Sequence, residues 1–479
     1  MAQLSTTVRD FAYVFFSSSF GQVLRIVRNL VVAGLIGPEL FGIIQGLNIF
    51  LLYIPVLQLG YFQAANREIP QLIGRNDHER IRSIEYNGIV VLAASSAAGL
   101  LVYTAIFLWN LPELSVVARI CWIGFAATLL QQPLGQFYQV LYTAHGRFQE
   151  FSRIKVLESL FFFALLALVF VWGYAGQLVS LAVSAALLSF LLVKKKPVPL
   201  AGASPDGAVI RDMMSKGYPI LLSAMTFNIF YTIDKIFIVG TRGAEEFGYY
   251  SIGASVFQVA IFVPESIRLI SYRYFNVEYG KDRQNERLRS GFWLSFLIVS
   301  MAMWCLSVAS YLVLPAAIAV LLPAYTPAIP VLKVFSVTMG LAAPGMMLST
   351  ALYSVHRERT VLKVYAGSMA LFLVGIAVFV NFHLPTVMVA VLISAAHGVS
   401  SVALFSMVVR QPEYALPSRS KRTLFIMLSG LIVLSGAVIA AMEVFGDPLH
   451  PVVAAGFVMY AVMMGLAALR VFRRRHAVL

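Results

Sequence analysis

The 479-residue chain is 59% hydrophobic and only 12% charged. That excludes a soluble domain of this length, whose surface needs about 25% Asp, Glu, Lys and Arg. A formal net charge of +14 would suit nucleic acid, but the basic residues cluster between apolar runs in the pattern of a membrane protein's cytoplasmic side. The two cysteines, Cys121 and Cys305, lie inside apolar runs, which excludes a disulfide framework and a cysteine metal site.

Apolar runs long enough to cross the roughly 30 Å hydrocarbon layer as helices, about 17 to 25 residues each, occur throughout the chain. They are predicted at 12–36, 41–65, 86–109, 116–142, 156–173, 177–193, 217–240, 247–268, 291–314, 329–352, 364–381, 385–408, 424–443 and 451–469. The prediction is therefore an all-α polytopic membrane protein of about 14 transmembrane helices. Helices are required because backbone amides in lipid must be satisfied within the segment, and the runs lack the short alternation of barrel strands. The first run is too long for a cleaved signal and carries no small-residue cleavage site.

With the amino terminus in the cytoplasm, the connections after even-numbered spans hold the basic clusters, from Arg67, Arg75, Arg80 and Arg82 to Arg410, Arg419, Lys421 and Arg422. The carboxy-terminal tail adds Arg470, Arg473, Arg474 and Arg475, whereas the opposite connections hold only Arg242. The positive-inside rule then predicts an even number of spans with both termini cytoplasmic.

The turn GPELFG, Gly37 to Gly42, returns 206 residues later as GAEEFG, Gly243 to Gly248. A second anchor, LYTAH at 141–145, returns as LYSVH at 352–356. Spans one to six thus correspond to seven to twelve. Because six is even, the halves are parallel repeats about an axis along the membrane normal, which places a substrate path between two lobes. The expected organisation is an amino-terminal lobe (1–193), a basic cytoplasmic linker (194–216), a second six-helix lobe (217–409), and two extra helices with a basic tail (410–479). In the repeated turns, Gly37 and Gly42 read as turn formers and sites of close helix contact.

The stretch LVVAGLIGPELFGIIQGLNIFLLYIPVLQLGYFQAANREI resembles the amino-terminal signature of polysaccharide-biosynthesis flippases. These form the O-antigen and lipid-linked oligosaccharide branch of the multidrug/oligosaccharidyl-lipid/polysaccharide exporter superfamily. YPILLSAMTFNIFYTIDKIFIVGTRGAEEFGYYSIG and LLPAYTPAIPVLKVFSV are similar to that family's seventh and eighth helices and to the entry of its tenth. The resemblance implies a flippase of the bacterial inner membrane that moves undecaprenyl-pyrophosphate-linked sugar repeat units from the cytoplasmic to the outer leaflet by alternating access. It implies no cofactor, H+ or Na+ as coupling ion, anionic lipids around the basic face, and a polymerase or other export machinery as neighbours.

A pyrophosphate headgroup crossing hydrocarbon needs cations, since burying its charge without partners costs several kcal/mol or more. On the first span Ser18, Gln22, Arg25 and Asn29 recur at helical spacing on one face, with Arg28 beside them. Arg25 stands roughly 20 Å along its helix, too deep to snorkel to water. Two readings stand: Arg25 and Arg28 meet the cargo, for which a planar guanidinium suits a diphosphate, or they pair with carboxylates such as Glu158, Asp234 or Glu265. Arg268 and Lys333, toward the ends of spans eight and ten, are further cargo candidates. Asp234, Lys235 and Glu265 are candidates for ion coupling or gating, with Glu158 a poorer one. The repeat carries Arg28 onto Asp234, which suggests a latch between them, with pairing of Asp234 inside its own lobe as the alternative. His145 and His356 read as interfacial residues, and His397 lies within span twelve.

No nucleophile triad, phosphate-binding glycine loop or metal-ligand cluster is legible, so no enzyme is predicted. The alternatives to the flippase are an ion-coupled multidrug exporter and a membrane polysaccharide polymerase or ligase. An exporter of organic cations would favour carboxylates where the first span has arginines. A polymerase or ligase typically needs a large outside loop, whereas the longest here is about 315–328.

Overall fold

In the computed structural model the described residues are 2–74, 77–195, 204–281, 286–355, 357–382, 385–415 and 430; side chains are described from residue 20 onward, except 71, 74, 259–263, 265–288 and 381. Every regular element among them is helical. In chain order the α-helices are α1 (Ala2–Leu51), α2 (Tyr61–Gly74), α3 (His78–Asn110), α4 (Val116–Ala144), α5 (Phe148–Ala164), α6 (Leu166–Lys194), α7 (Gly207–Lys281), α8 (Glu286–Leu321), α9 (Ile329–Ser354), α10 (Glu358–Asn381) and α11 (Val387–Val408), with short 3-10 turns at Ile54–Gln58, Pro323–Ala328 and Pro412–Tyr414.

The starts of α3 and α4 follow ordinary capping chemistry. The Asp77 side chain accepts from the Arg80 N–H at the start of α3, and the Ser115 hydroxyl accepts from the Ala118 N–H at the start of α4. Two long helices are divided at the repeated glycines. Gly37 (φ 81°, ψ 168°) breaks α1 and Gly243 (φ 84°, ψ 178°) breaks α7, a backbone region that essentially only glycine occupies. Expected spans one and two therefore lie on either side of Gly37, and seven and eight on either side of Gly243. Gly173 (φ 57°) likewise divides α6 between expected spans five and six.

Eight helical segments among the described residues are long and apolar enough to cross a bilayer, and three of them, Phe20–Gln58, Leu166–Lys194 and Gly207–Gln258, contain the glycine breaks. The expected total of fourteen is thus not established. Apart from residue 430, spans thirteen and fourteen (424–443 and 451–469), like His356, lie outside the described residues.

The chain divides into two compact units, Met1–Gly248 and Tyr249–Leu479. This boundary falls later than the expected linker, because the first half of α7 packs along residues 42–60. In the first unit α2, α3 and α4 enclose an aromatic core of Tyr61, Phe62, Phe137, Tyr138 and Tyr142. Two of its hydroxyls are satisfied on backbone, Tyr61 donating to the Ile84 carbonyl at 2.6 Å and Tyr142 to the Lys195 carbonyl; in a neighbouring cluster Tyr103 donates to the Trp122 carbonyl at 2.8 Å. Such partners matter more in lipid, where no water replaces them.

In the second unit α9 is the central helix, enclosed by α8 and α11; 94% of the most apolar window of its span is buried. Its small and hydroxyl side chains allow that close approach. Ser307 donates to the Ser336 carbonyl and Ser401 to the Leu341 carbonyl, both at 2.6 Å, while Thr338 bonds Ser394.

Candidate functional site

The first span brings its arginines against α5 and α6, and the two separate by direction. Three residues advance a helix by roughly 300°, so Arg25 and Arg28 point roughly 60° apart. Arg28 turns into the helix packing and is fully buried. Its Nε donates to the Phe162 carbonyl at 3.0 Å, an Nη2 hydrogen bond goes to the Ser180 hydroxyl, and the guanidinium lies 3.6 Å from the Phe162 ring centroid. None of these partners is charged. The guanidinium is held by a carbonyl, a hydroxyl and an aromatic face.

Arg25 stays at the edge of that packing, with 37% of its side chain exposed, and pairs with Glu158 of α5, whose side chain is 6% exposed. The carboxylate is shared. Arg25 Nη2 and Lys155 Nζ, the latter at 3.6 Å, both address Glu158 Oε2, whereas Oε1 accepts from the Ser184 hydroxyl of α6 at 3.1 Å. Three cations, Arg25, Arg28 and Lys155, thus share this corner of the packing with one carboxylate. Gln22 and Asn29 are half-buried on the same helix.

A second polar group lies where residues 42–60 run antiparallel to the first half of α7. Tyr53 and Thr232 share a hydroxyl hydrogen bond of 2.5 Å, and Asn228 donates to the Leu52 carbonyl at 3.3 Å. Further along α7, Asp234 and Lys235 are buried. Lys235 lies 3.6 Å from the Asp234 carboxylate and donates to the Tyr231 carbonyl at 2.8 Å, with its ammonium 4.2 Å from the Tyr231 ring centroid. This structure therefore pairs both expected latch residues with other groups: Arg28 with Phe162 and Ser180, Asp234 with Lys235.

The repeated turns meet each other. A Cβ placed on Gly42 would lie 1.9 Å from the Ala244 carbonyl oxygen, and one on Gly248 would lie 2.1 Å from the Pro38 carbonyl oxygen. Under the 206-residue shift Gly42 corresponds to Gly248 and Pro38 to Ala244, so the two contacts are one contact repeated by the pseudo-twofold relation. At the other end of the same helix pair, Gly60 and Gly217 bring their backbones equally close.

On the side the charge pattern assigns to the cytoplasm, Arg80 pairs with Asp212 at 2.8 Å, and Lys216 reaches Asp212 at 3.0 Å and Glu68 at 3.6 Å. Helix α7 already begins at Gly207, inside the expected linker 194–216, and the backbone N–H of Asp206 donates to the Asn87 side-chain oxygen at 2.8 Å, fixing the non-helical part of the linker to α3. His145 sits 2.5 Å from the nearly buried Glu85, a pairing that sequence reading missed because the two residues are 60 apart. His397 is buried, with its ring 5.2 Å from that of Phe257. Lys333 is half-buried near the start of α9. Arg268 and Glu265 fall on α7 where side chains lie outside the described residues.

The fold is that of multidrug and toxin extrusion (MATE) transporters. An outward-facing conformation of a multidrug resistance MATE family transporter of the MOP superfamily superposes with a TM-score of 0.66 at 16% identity, covering 88% of this chain and 97% of that one. An inward-facing conformation of such a transporter gives 0.66 at 14% identity, covering 85% and 95%. A point mutant of the Vibrio cholerae MATE transporter VcmN gives 0.64 at 13%, covering 87% and 100%. Within this fold class the chain belongs to the polysaccharide biosynthesis protein family, whose profile matches residues 7–264. No curated protein matches the chain.

Proposed function

We propose that the protein is a transporter, not an enzyme, and that it moves a lipid-linked oligosaccharide, carried on undecaprenyl pyrophosphate, from the cytoplasmic to the outer leaflet by alternating access. The observation that carries this reading is the charge balance beside the first span, where Arg25, Arg28 and Lys155 are set against the single carboxylate of Glu158. An excess of cations beside a membrane-spanning segment is costly unless an anion uses it, and membership in a polysaccharide biosynthesis family supplies an anionic cargo. Arg25 is the group placed to meet the diphosphate, since its guanidinium is accessible while that of Arg28 is buried. Gln22 and Asn29 extend the polar stripe toward sugar hydroxyls, and Lys333 and Arg268 are further cation candidates along the path. Asp234, Lys235 and Glu265 are proposed for coupling to H+ or Na+ or for gating. The sign of the charge disfavours export of organic cations. The protein acts in the bacterial inner membrane, with both termini in the cytoplasm among anionic lipids and alongside polymerase and export machinery.

The test is a reconstituted assay in proteoliposomes carrying a fluorescent undecaprenyl-pyrophosphate oligosaccharide. Wild type should move the label between leaflets, Arg25→Ala should abolish movement while remaining inserted and folded, and Arg25→Lys should restore part of it, because a point charge lacks the bidentate fork. Full movement in Arg25→Ala, or none in wild type, overturns the assignment.

A further inference from the structure

We infer that Glu158 is an internal competitor for Arg25: in the absence of cargo it occupies the guanidinium that the diphosphate would take, and Lys155 with Ser184 holds it in place when Arg25 leaves. The inference rests on the function proposed above and assigns a role to a residue outside the expected cargo set.

The geometry separates the mobile partner from the fixed one. Arg25 is 37% exposed and Glu158 6%. The carboxylate is anchored from two further directions, by the Ser184 hydroxyl on Oε1 at 3.1 Å and by Lys155 on Oε2 at 3.6 Å. Breaking a buried ion pair is normally costly because it strands a charge. Here Lys155 already addresses the same oxygen as Arg25, so departure of Arg25 leaves Glu158 with a counter-ion and a hydrogen bond. The groups facing Glu158 are Arg25 from α1, Lys155 from its own helix and Ser184 from α6. The charged residue of α4, Arg119, donates instead to the Leu114 carbonyl at 3.0 Å near the start of its own helix. Arg25 can therefore exchange one anionic acceptor for another, with no bare cation in hydrocarbon at either stage. That makes Glu158 a device for release as well as rest, since it recaptures the guanidinium as the cargo leaves.

The experiment measures binding of inorganic pyrophosphate to the purified full chain in wild type, Glu158→Gln, Arg25→Gln and the double variant. Glu158→Gln should bind about tenfold more tightly than wild type, roughly the worth of one charge-assisted hydrogen bond removed from the competition. In the Arg25→Gln background the same substitution should change affinity by less than about twofold, because the coupling passes through Arg25. The cycle separates direct competition from a general change in field, which would tighten binding in both backgrounds. Transport of the labelled cargo at saturation should fall in Glu158→Gln although affinity rises. Lys155→Met serves if Glu158→Gln does not fold, and it should weaken binding, since Oε2 then depends on Arg25 alone. Equal tightening in both backgrounds, or none in either, overturns the competitor role and leaves the cargo assignment standing. Absence of pyrophosphate binding in wild type and every variant overturns the cargo assignment and the competitor role together.

Discussion

Arg28 shows how a residue's direction outweighs its type. Its partners are neutral and its guanidinium is fully enclosed, so the side chain carries the desolvation cost of a cation without the attraction of a paired carboxylate. Replacement by an apolar side chain of similar length should relieve that cost. Arg28→Met is expected to melt at the same temperature as wild type or higher in detergent solution. Arg28→Ala, which adds a cavity beside Phe162, should lower stability by about 2 to 4 kcal/mol. A marked loss in Arg28→Met, measured in the same thermal scan, would mean that an anion compensates the charge.

At the scale of elements, the repeated turn uses its glycines for two different reasons. Gly37 and Gly243 have open space where a Cβ would stand, so their requirement lies in the backbone conformation alone. Gly37→Ala and Gly243→Ala should each cost on the order of 1 to 3 kcal/mol through strain. Gly42 and Gly248 need space rather than conformation, because a side chain on either meets the other turn's backbone. Gly42→Ala and Gly248→Ala should each splay residues 42–60 from the first half of α7, seen as a longer spin-label distance between these segments near the two turns. The two losses should not add: once one substitution has separated the turns, the second meets no neighbour, so the double variant should melt close to the worse single one.

For the whole molecule, the charge asymmetry predicts that residue 204, within the basic linker, lies in the cytoplasm. A single cysteine in place of Ser204 should react with a membrane-impermeant maleimide in inside-out vesicles and not in intact cells; labelling from outside would reverse the orientation. The ion pairs on the first turns of α7, Arg80 with Asp212 and Lys216 with Glu68, are partly exposed, and each contributes at most about 1 kcal/mol. Their role is to set the register of α2, α3 and the start of α7, as does the Asn87 contact to Asp206. Neutralising Asp212 should therefore leave melting nearly unchanged while loosening the linker's attachment, read as faster proteolysis after residue 204.

The helical class, the positions of the spans on either side of Gly37 and Gly243, and the repeat itself were legible in the sequence. Each depends on local physics: hydrocarbon thickness sets run length, lipid forces internal hydrogen bonding, and glycine marks the positive φ. The polar stripe of Gln22, Arg25 and Asn29 was legible too, because helical periodicity places residues on a face. What periodicity cannot say is which neighbour a face meets. Only the tertiary structure decided that Arg25 meets Glu158 across 133 residues of chain, that Arg28 turns inward to Phe162, and that the two glycine turns touch reciprocally. Those outcomes depend on how α5, α6 and α7 pack against the first span, and that packing is settled by side-chain fit and polar satisfaction between segments distant in sequence.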